Sequence, residues 1–233
     1  MALTASPTEL STSATDAVLA VECVIVLLCL RRTPSGDRWR IGLWCWALGL
    51  LALASFLGSV VHGLEMPPTL RGALWKPLYL TLGLLMGLFL VGGFCDWHGR
   101  AVAERLIPWS IGLGAGFFGL TQFLDGSFIV FVAYEAVVMA SALAIYCFLA
   151  ATRRLKGAGI LAAAIILNLM AGGVQASNVT FKLFIPFDHN GVFHLVQMVG
   201  IATLGLGLRR GMKSGAQSAP GEPRPALSSK VME

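Results

Sequence analysis

Seven apolar stretches, each 17 to 24 residues long, make up most of this 233-residue chain. An α-helix needs about 20 apolar residues to cross the hydrocarbon of a bilayer, and a helix satisfies its own backbone hydrogen bonds there. The composition agrees, because only 12% of the residues are charged, whereas a soluble domain carries about 25%. The sequence therefore predicts an all-α membrane protein with seven transmembrane helices, at 14–30, 41–64, 73–94, 107–124, 128–151, 159–176 and 192–208.

These stretches divide the chain into three parts. A polar segment rich in Ser and Thr, 1–13, precedes the seven-helix domain, 14–210. The remainder, 211–233, is rich in Pro, Ser and Gly and has no apolar periodicity, a composition typical of disorder.

The distribution of positive charge predicts the orientation of the helices. Of the 17 Lys and Arg residues, 14 fall on one side of the predicted membrane, and only Arg71, Lys76 and Lys182 fall on the other. Because positively charged loops stay in the cytoplasm, we expect the N-terminus outside and the C-terminus in the cytoplasm. We expect the protein in the cell membrane. Orientation accounts for the net charge of +5, so we expect membrane lipid and no nucleic acid as a partner; the oligomeric state stays open.

Small residues in the third and fourth stretches predict a close helix pair. Gly83 and Gly87 are four residues apart, as are Gly112 and Gly116, and such spacing lets helix backbones approach within a bilayer. Between these stretches, the charged segment 96–105 is expected to be a solvated cytoplasmic loop.

Polar residues within the apolar stretches are the strongest indication of function, because they are costly in hydrocarbon and usually face the bundle interior. On the predicted topology, eight of them lie in the outer half of the membrane: Glu22, Ser59, His62, Gln122, Glu135, Gln175, His194 and Gln197. We expect one pocket, to which Glu22, Glu135, Gln175, Asn190 and Gln197 contribute.

Three histidines at the rim of this pocket suggest a metal. His62 ends the second stretch, and His189 and His194 begin the seventh, which predicts that the outer ends of these helices are neighbours. Imidazoles from distant parts of the chain with a carboxylate nearby are typical ligands of catalytic zinc. Ser59 would orient the zinc-bound water or stabilise an oxyanion, and Asp188 would be a fourth ligand, a partner of a ligand or a general base. For His62 and His189, helix capping at the hydrated interface is the alternative.

The same residues resemble a superfamily of seven-span membrane hydrolases that includes the alkaline ceramidases, hemolysin III and the adiponectin and progestin receptors. The similarity lies in Ser59 and His62 at the end of the second span, in the His189–His194 motif that opens the seventh, and in the number of spans. Ser59 is three residues before His62 and the late histidines are five apart, whereas both spacings are four in that superfamily. The resemblance implies zinc held by the histidines of the second and seventh spans and hydrolysis of a lipid amide.

Three functions follow as hypotheses. The first is a metal-dependent hydrolase that acts on a lipid amide or ester at the outer face. The second is a non-enzymatic transporter or receptor in which Glu22, Glu135 and the histidines form a proton or ligand pocket. The third is haem ligation by His62 and His194. A retinal protein is disfavoured, because the seventh stretch has no lysine for a Schiff base.

Overall fold

The protein is a bundle of long helices. A computed structural model describes residues 2–124, 128–182 and 184–216. Its seven helices are α1 (Pro7–Arg31), α2 (Arg38–Gly63), α3 (Pro68–His98), α4 (Arg100–Phe123), α5 (Phe128–Ala151), α6 (Ala158–Gln175) and α7 (His189–Ala216). Between α6 and α7, the two-residue strands β1 (Phe181–Lys182) and β2 (Pro186–Phe187) pair antiparallel.

Short-range signals in the sequence set the helix ends. Ser6 caps α1 by accepting a hydrogen bond from the backbone N–H of Glu9, and Pro7 occupies the first turn, where its missing N–H costs nothing. Asp37 caps α2 in the same way. Gly99 alone joins α3 to α4 with φ of 86°, a conformation that glycine adopts without steric strain.

Six of the seven helices form a closed ring. Around it the order is α1, α2, α3, α5, α6 and α7, and α7 packs against α1 to complete the circuit. We call the end of the bundle where α1 begins the N-terminal end, and the other the opposite end. Helix α1 lies between α2 and α7, so these two helices pack mainly against α1 and not against each other, while His62 and His194 at their predicted outer ends still line one cavity.

Helix α4 lies outside the ring and packs chiefly against α3. The close approach predicted for this pair exists, and on α3 it uses Gly83 and Gly87, as expected. On α4 the contact is made by Ser110 and Gly114, whereas side chains at positions 112 and 116 would meet open space. The prediction chose the wrong face of α4, because glycine spacing alone does not identify which side of a helix meets its partner.

The helices have the character of membrane spans. The described chain is 83% helical, and six of its helices are long and apolar enough to cross a membrane: α1, α2, α3, α5, α6 and α7. The protein is thus an all-α integral membrane protein. Helix α4 is not among them; its uncharged part, 106–123, is less apolar because it contains four glycines, Pro108 and Gln122.

Two predicted boundaries differ from the structure. Helix α1 begins at Pro7 rather than near residue 14, so most of the segment 1–13 belongs to the bundle, and Ser11 and Thr12 are buried. Helix α7 continues to Ala216, so the first six residues of the predicted disordered tail are helical. Residues 217–233 lie outside the described residues.

The segment 96–105 is also not a solvated loop throughout. The side chain of Asp96 is fully buried, and its carboxylate accepts hydrogen bonds from Arg40 Nε and from the Tyr146 hydroxyl. The sequence did not indicate the burial of Asp96, because charged residues of both signs follow it. Two of these, Arg100 and Glu104, do form an exposed i,i+4 pair.

The α3–α4 contact gives a prediction. A Cβ at Gly114 would lie 2.9 Å from backbone atoms of Gly83 and Leu84, which have no room to move aside. Gly114→Leu should therefore displace α4 and lower the midpoint of thermal unfolding in detergent, since overpacking costs about 1–3 kcal/mol. Gly116→Leu, on the open face, is the matched control. Equal midpoints for both variants would contradict this packing.

Candidate functional site

A cavity of about 980 Å³ opens in the N-terminal half of the bundle, and all seven helices line it. Its wall combines aromatic and aliphatic side chains with polar ones. The principal polar side chains are Asp16, Ser55, His62, Lys76, Gln122, Glu135, Gln175, His189, Asn190, His194 and Gln197. A volume of this size is sufficient for a small-molecule ligand.

Most of the residues predicted for the pocket line this cavity. Glu135, Gln175, Asn190 and Gln197 do so, together with the three histidines proposed as metal ligands. Glu135 and Gln197 are almost completely buried, with 5% and 8% of their surfaces exposed. Their position in the interior of the bundle agrees with the cost of exposing polar groups to hydrocarbon.

Three predicted residues are not among those that line the cavity: Glu22, Ser59 and Asp188. Glu22 lies against the backbone of Ala202 on α7. Ser59 faces α1, where its carbonyl accepts a hydrogen bond of 2.8 Å from the Ser13 hydroxyl.

Asp188 holds the beginning of α7 in place. Its Oδ1 atom accepts hydrogen bonds from the backbone N–H of Gly191 at 2.9 Å and from the Thr12 hydroxyl at 3.0 Å. These are the contacts of a helix N-cap, with an additional tie to α1. They account for the carboxylate at this position without a catalytic role.

The most buried polar contact of the cavity joins His194 to α1. His194 Nε2 lies 3.2 Å from Asp16 Oδ1, and the two side chains are 8% and 7% exposed. The other ring nitrogen, Nδ1, lies 3.0 Å from the Thr15 hydroxyl. That hydroxyl is also within 3.0 Å of the backbone carbonyls of Ser11 and Thr12.

The tautomer of the ring decides the direction of the Thr15–His194 hydrogen bond. The Thr15 hydroxyl either donates to Nδ1, or accepts from Nδ1–H and donates to a helix carbonyl. Asp16 Oδ1 lies within ion-pair distance of the other nitrogen, Nε2.

Glycine on α2 makes space for the Asp16 carboxylate. A Cβ at Gly58 would lie 2.6 Å from Asp16 Oδ2, so only glycine leaves room for the side chain between α1 and α2. Gly63, one turn further, makes room for Ser13 in the same way. The polar face of α1 therefore packs on the smallest residues of its neighbour.

His62 lies at the rim of the cavity. Its Nδ1 is 2.7 Å from Glu9 Oε2, and its ring meets that of Trp75 edge to face, with 5.9 Å between centroids. The rim is also closed by the chain before α1, since Thr4 N–H donates to the Gly63 carbonyl. His62 thus links the first turn of α1 to α2 and α3.

The donors of this site do not fit the predicted zinc centre. Among the described residues, no group of three or more His, Cys, Asp or Glu side chains is arranged to hold a metal ion. Both ring nitrogens of His194 are engaged by Thr15 and Asp16, and Nδ1 of His62 is engaged by Glu9. The three histidines share a cavity, but the described polar contacts of His62 and His194 are with residues of α1.

Two acceptor atoms in the cavity wall lack partners. Glu135 Oε2 and Gln175 Oε1 are buried without a hydrogen-bond donor from any described residue. A buried carboxyl or amide oxygen without a donor is destabilising, and most such groups in folded proteins are satisfied. These two oxygens are therefore the atoms of the cavity that most require a ligand.

Comparison with known proteins gives a family without a described activity. The model of DUF6962, a family of unknown function, matches residues 11–213. The chain belongs to this family. No curated protein and no solved structure matches it. The matched range includes Asp16, His62, Glu135 and His194, so it contains the whole polar constellation of the cavity.

The sequence analysis did not identify Asp16 and Thr15 as residues of the site. They lie near the predicted start of the first span, where a carboxylate would be hydrated, whereas α1 begins at Pro7 and places Asp16 more than two turns inside the helix. The available signal was the Ser6-Pro7 pair with Glu9 three residues after Ser6, a capping-box pattern that marks a helix N-terminus.

The His194–Asp16 contact gives a second prediction. Asp16→Ala should leave His194 Nε2 buried without a partner and lower the thermal midpoint, since such a loss costs about 1–3 kcal/mol. Asp16→Asn should restore most of the stability, because its amide reaches the same nitrogen as donor or acceptor. If the Asn and Ala variants unfold at the same temperature, the contact does not stabilise the fold.

Proposed function

We propose that this protein is a non-enzymatic seven-span membrane protein, a transporter or receptor, that binds a small amphipathic amine in its cavity. In this proposal α4 spans the membrane with the other six helices, the N-terminal end faces outside and the C-terminus is cytoplasmic. The charge distribution supports the orientation, because Arg71, Lys76 and Lys182 are at the N-terminal end and the other 12 basic residues that the structure describes are not.

The unsatisfied carboxyl oxygen of Glu135 carries the proposal. A buried carboxylate requires a positive partner or hydrogen-bond donors, and the described side chains offer Oε2 neither. A protonated amine supplies both the charge and the N–H groups. Gln175 Oε1, also unsatisfied and also in the wall, is a second acceptor for the same ligand.

Aromatic side chains support an amine with an apolar body. Trp75, Tyr79 and Phe128 lie together in the cavity wall, with ring centroids 5.5 to 6.4 Å apart. Aromatic faces attract cations and bury apolar groups. Asp16 adds a second carboxyl group to this wall, whereas the basic Lys76 is exposed.

The role of Glu135 is testable with a ligand panel. We expect amphipathic amines to raise the thermal midpoint of the detergent-solubilised protein, and carboxylic acids of matched shape to leave it unchanged. Glu135→Gln should weaken amine binding about ten- to a hundredfold, since a hydrogen bond to a charged group is worth about 1.5–3 kcal/mol. Glu22→Gln is the matched control, because Glu22 is a carboxyl group of the same bundle that does not line the cavity. Equal effects of the two substitutions, or selective stabilisation by the acids, would refute the proposal.

The zinc-dependent lipid hydrolase is the second candidate. The observation in its favour is that His62, His189 and His194 line one cavity, as the resemblance to the seven-span hydrolases implies. Their present hydrogen-bond partners would have to be exchanged for the ion.

Metal analysis separates the two candidates. The amine-binding proposal predicts that protein purified with zinc present carries no stoichiometric metal, and that His62→Ala and His194→Ala leave the metal content unchanged. About one zinc per chain, lost in both variants but retained in His98→Ala at the opposite end, would replace the proposal by the hydrolase. Elemental analysis of the four proteins is the measurement.

A further inference from the structure

The interior beneath the cavity continues toward the opposite end of the bundle. A second, smaller cavity of about 30 Å³ lies in the middle of the ring. Five residues line both cavities and so form the neck between them: Leu51, Leu85, Met86, Glu135 and Gln197. The candidate ligand-binding carboxyl group therefore stands at the junction of two spaces on one axis.

Trp44 closes the lower end of the second cavity. Its side chain is 1% exposed and packs edge to face against Phe89, with 5.3 Å between centroids. The indole lies directly on Gly92 of α3, where a Cβ would be 2.6 Å from the ring. Its Nε1–H is buried without a partner among the described residues, and the residue is part of the wall of the second cavity.

One turn beyond Trp44, a polar cluster holds the opposite end together. The buried Asp96 at the end of α3 accepts from Arg40 at the start of α2 and from Tyr146 near the end of α5. Arg40 also reaches α7, since a Cβ at Gly211 would lie 3.3 Å from its Nη2 atom. We call Arg40, Asp96 and Tyr146 the clasp; it joins three helices of the ring at the end where the large cavity does not open.

We infer that the protein is a transporter with its inner side closed, in which the clasp and Trp44 are the inner gate. This inference rests on the proposed ligand cavity and decides between transporter and receptor. A ligand at Glu135 would pass the neck, where Met86 is the flexible member, and leave between α2, α3 and α5 once the clasp opens. Alternating access requires two arrangements of the helices, and in this inference the clasp is paired in one arrangement and separated in the other.

Accessibility of introduced cysteines tests the gate without knowledge of the ligand. On a background with the native cysteines replaced, Gln197→Cys reports on the large cavity and Leu48→Cys, which lines only the second cavity, reports on the space below the neck. The probe is a membrane-impermeant maleimide, applied to right-side-out and to inverted membrane vesicles. We expect Gln197→Cys to react from the N-terminal side and Leu48→Cys to be protected from both sides.

Opening the clasp should change only the second reporter. Asp96→Asn and the milder Tyr146→Phe should each raise labelling of Leu48→Cys from the opposite side about tenfold, the shift expected for loss of one hydrogen bond to a charged group. Glu104→Gln, which breaks the exposed pair with Arg100 at the same end, is the matched control and should have no effect.

The outcomes separate this inference from the proposal on which it rests. If Gln197→Cys does not react from the N-terminal side, the proposed ligand cavity itself fails. If Gln197→Cys reacts but Tyr146→Phe and Asp96→Asn leave Leu48→Cys protected in protein with a normal elution profile, the clasp is a structural bond and the transporter inference is overturned in favour of a receptor.

Discussion

The burial of the polar first turns of α1 is the constraint on which the rest of the structure depends. Ser11, Thr12, Thr15 and Asp16 are all buried in a helix that otherwise qualifies as a membrane span. Their partners come from both neighbours: Gly58 of α2 leaves room for Asp16. On α7, His194 forms a hydrogen bond with Thr15, and Asp188 accepts one from Thr12. Because α1 is thereby fixed between α2 and α7, the six-helix ring closes, and its closure creates the cavity. In hydrocarbon, where helices gain little from burying apolar surface against one another, polar bonds and small residues are the interactions that specify such neighbours.

Placing polar groups on one axis has a functional consequence. From the N-terminal end, the axis passes the Asp16–His194 pair, then Glu135 with Gln197, then Trp44 and finally the clasp. The two ends differ in the chemistry of their buried charges. In the clasp, the Asp96 carboxylate accepts hydrogen bonds from a guanidinium and a phenol, although Arg40 Nη2 has no partner among the described residues. Glu135 has no cationic partner among them, and its Oε2 atom lacks a donor, so this carboxyl group marks the place where another molecule would supply one.

The sequence predicted the helices well, and it predicted which helices contact each other less well. The span lengths and the cost of polar groups in hydrocarbon led to the helices and to Glu135, Gln175, His194 and Gln197, because these arguments depend on composition and depth alone. Neighbour relations depend on which face of each helix is turned inward. For that reason Gly112 and Gly116 were preferred over Gly114, and α2 was placed beside α7 although α1 intervenes. Asp96 was assigned to solvent because its partners, Arg40 and Tyr146, are more than 45 residues away in sequence.

The expected zinc site and the observed contacts differ because histidine residues bind a metal only in a suitable environment. Histidine is a metal ligand when its nitrogens are free and other donors converge on one point. Here each histidine of the pair His62 and His194 has a carboxyl partner of its own from α1, Glu9 and Asp16 respectively. Helix α1 supplies one acid to each imidazole, so the two histidines form two separate polar contacts. In a metal centre both would bind a single ion. Asp16 and Glu135 both line the cavity, and an aromatic wall with an unsatisfied carboxyl oxygen is suited to a cationic ligand. The chemistry of the site thus follows from α1, the helix whose polar turns looked from the sequence like a segment outside the bundle.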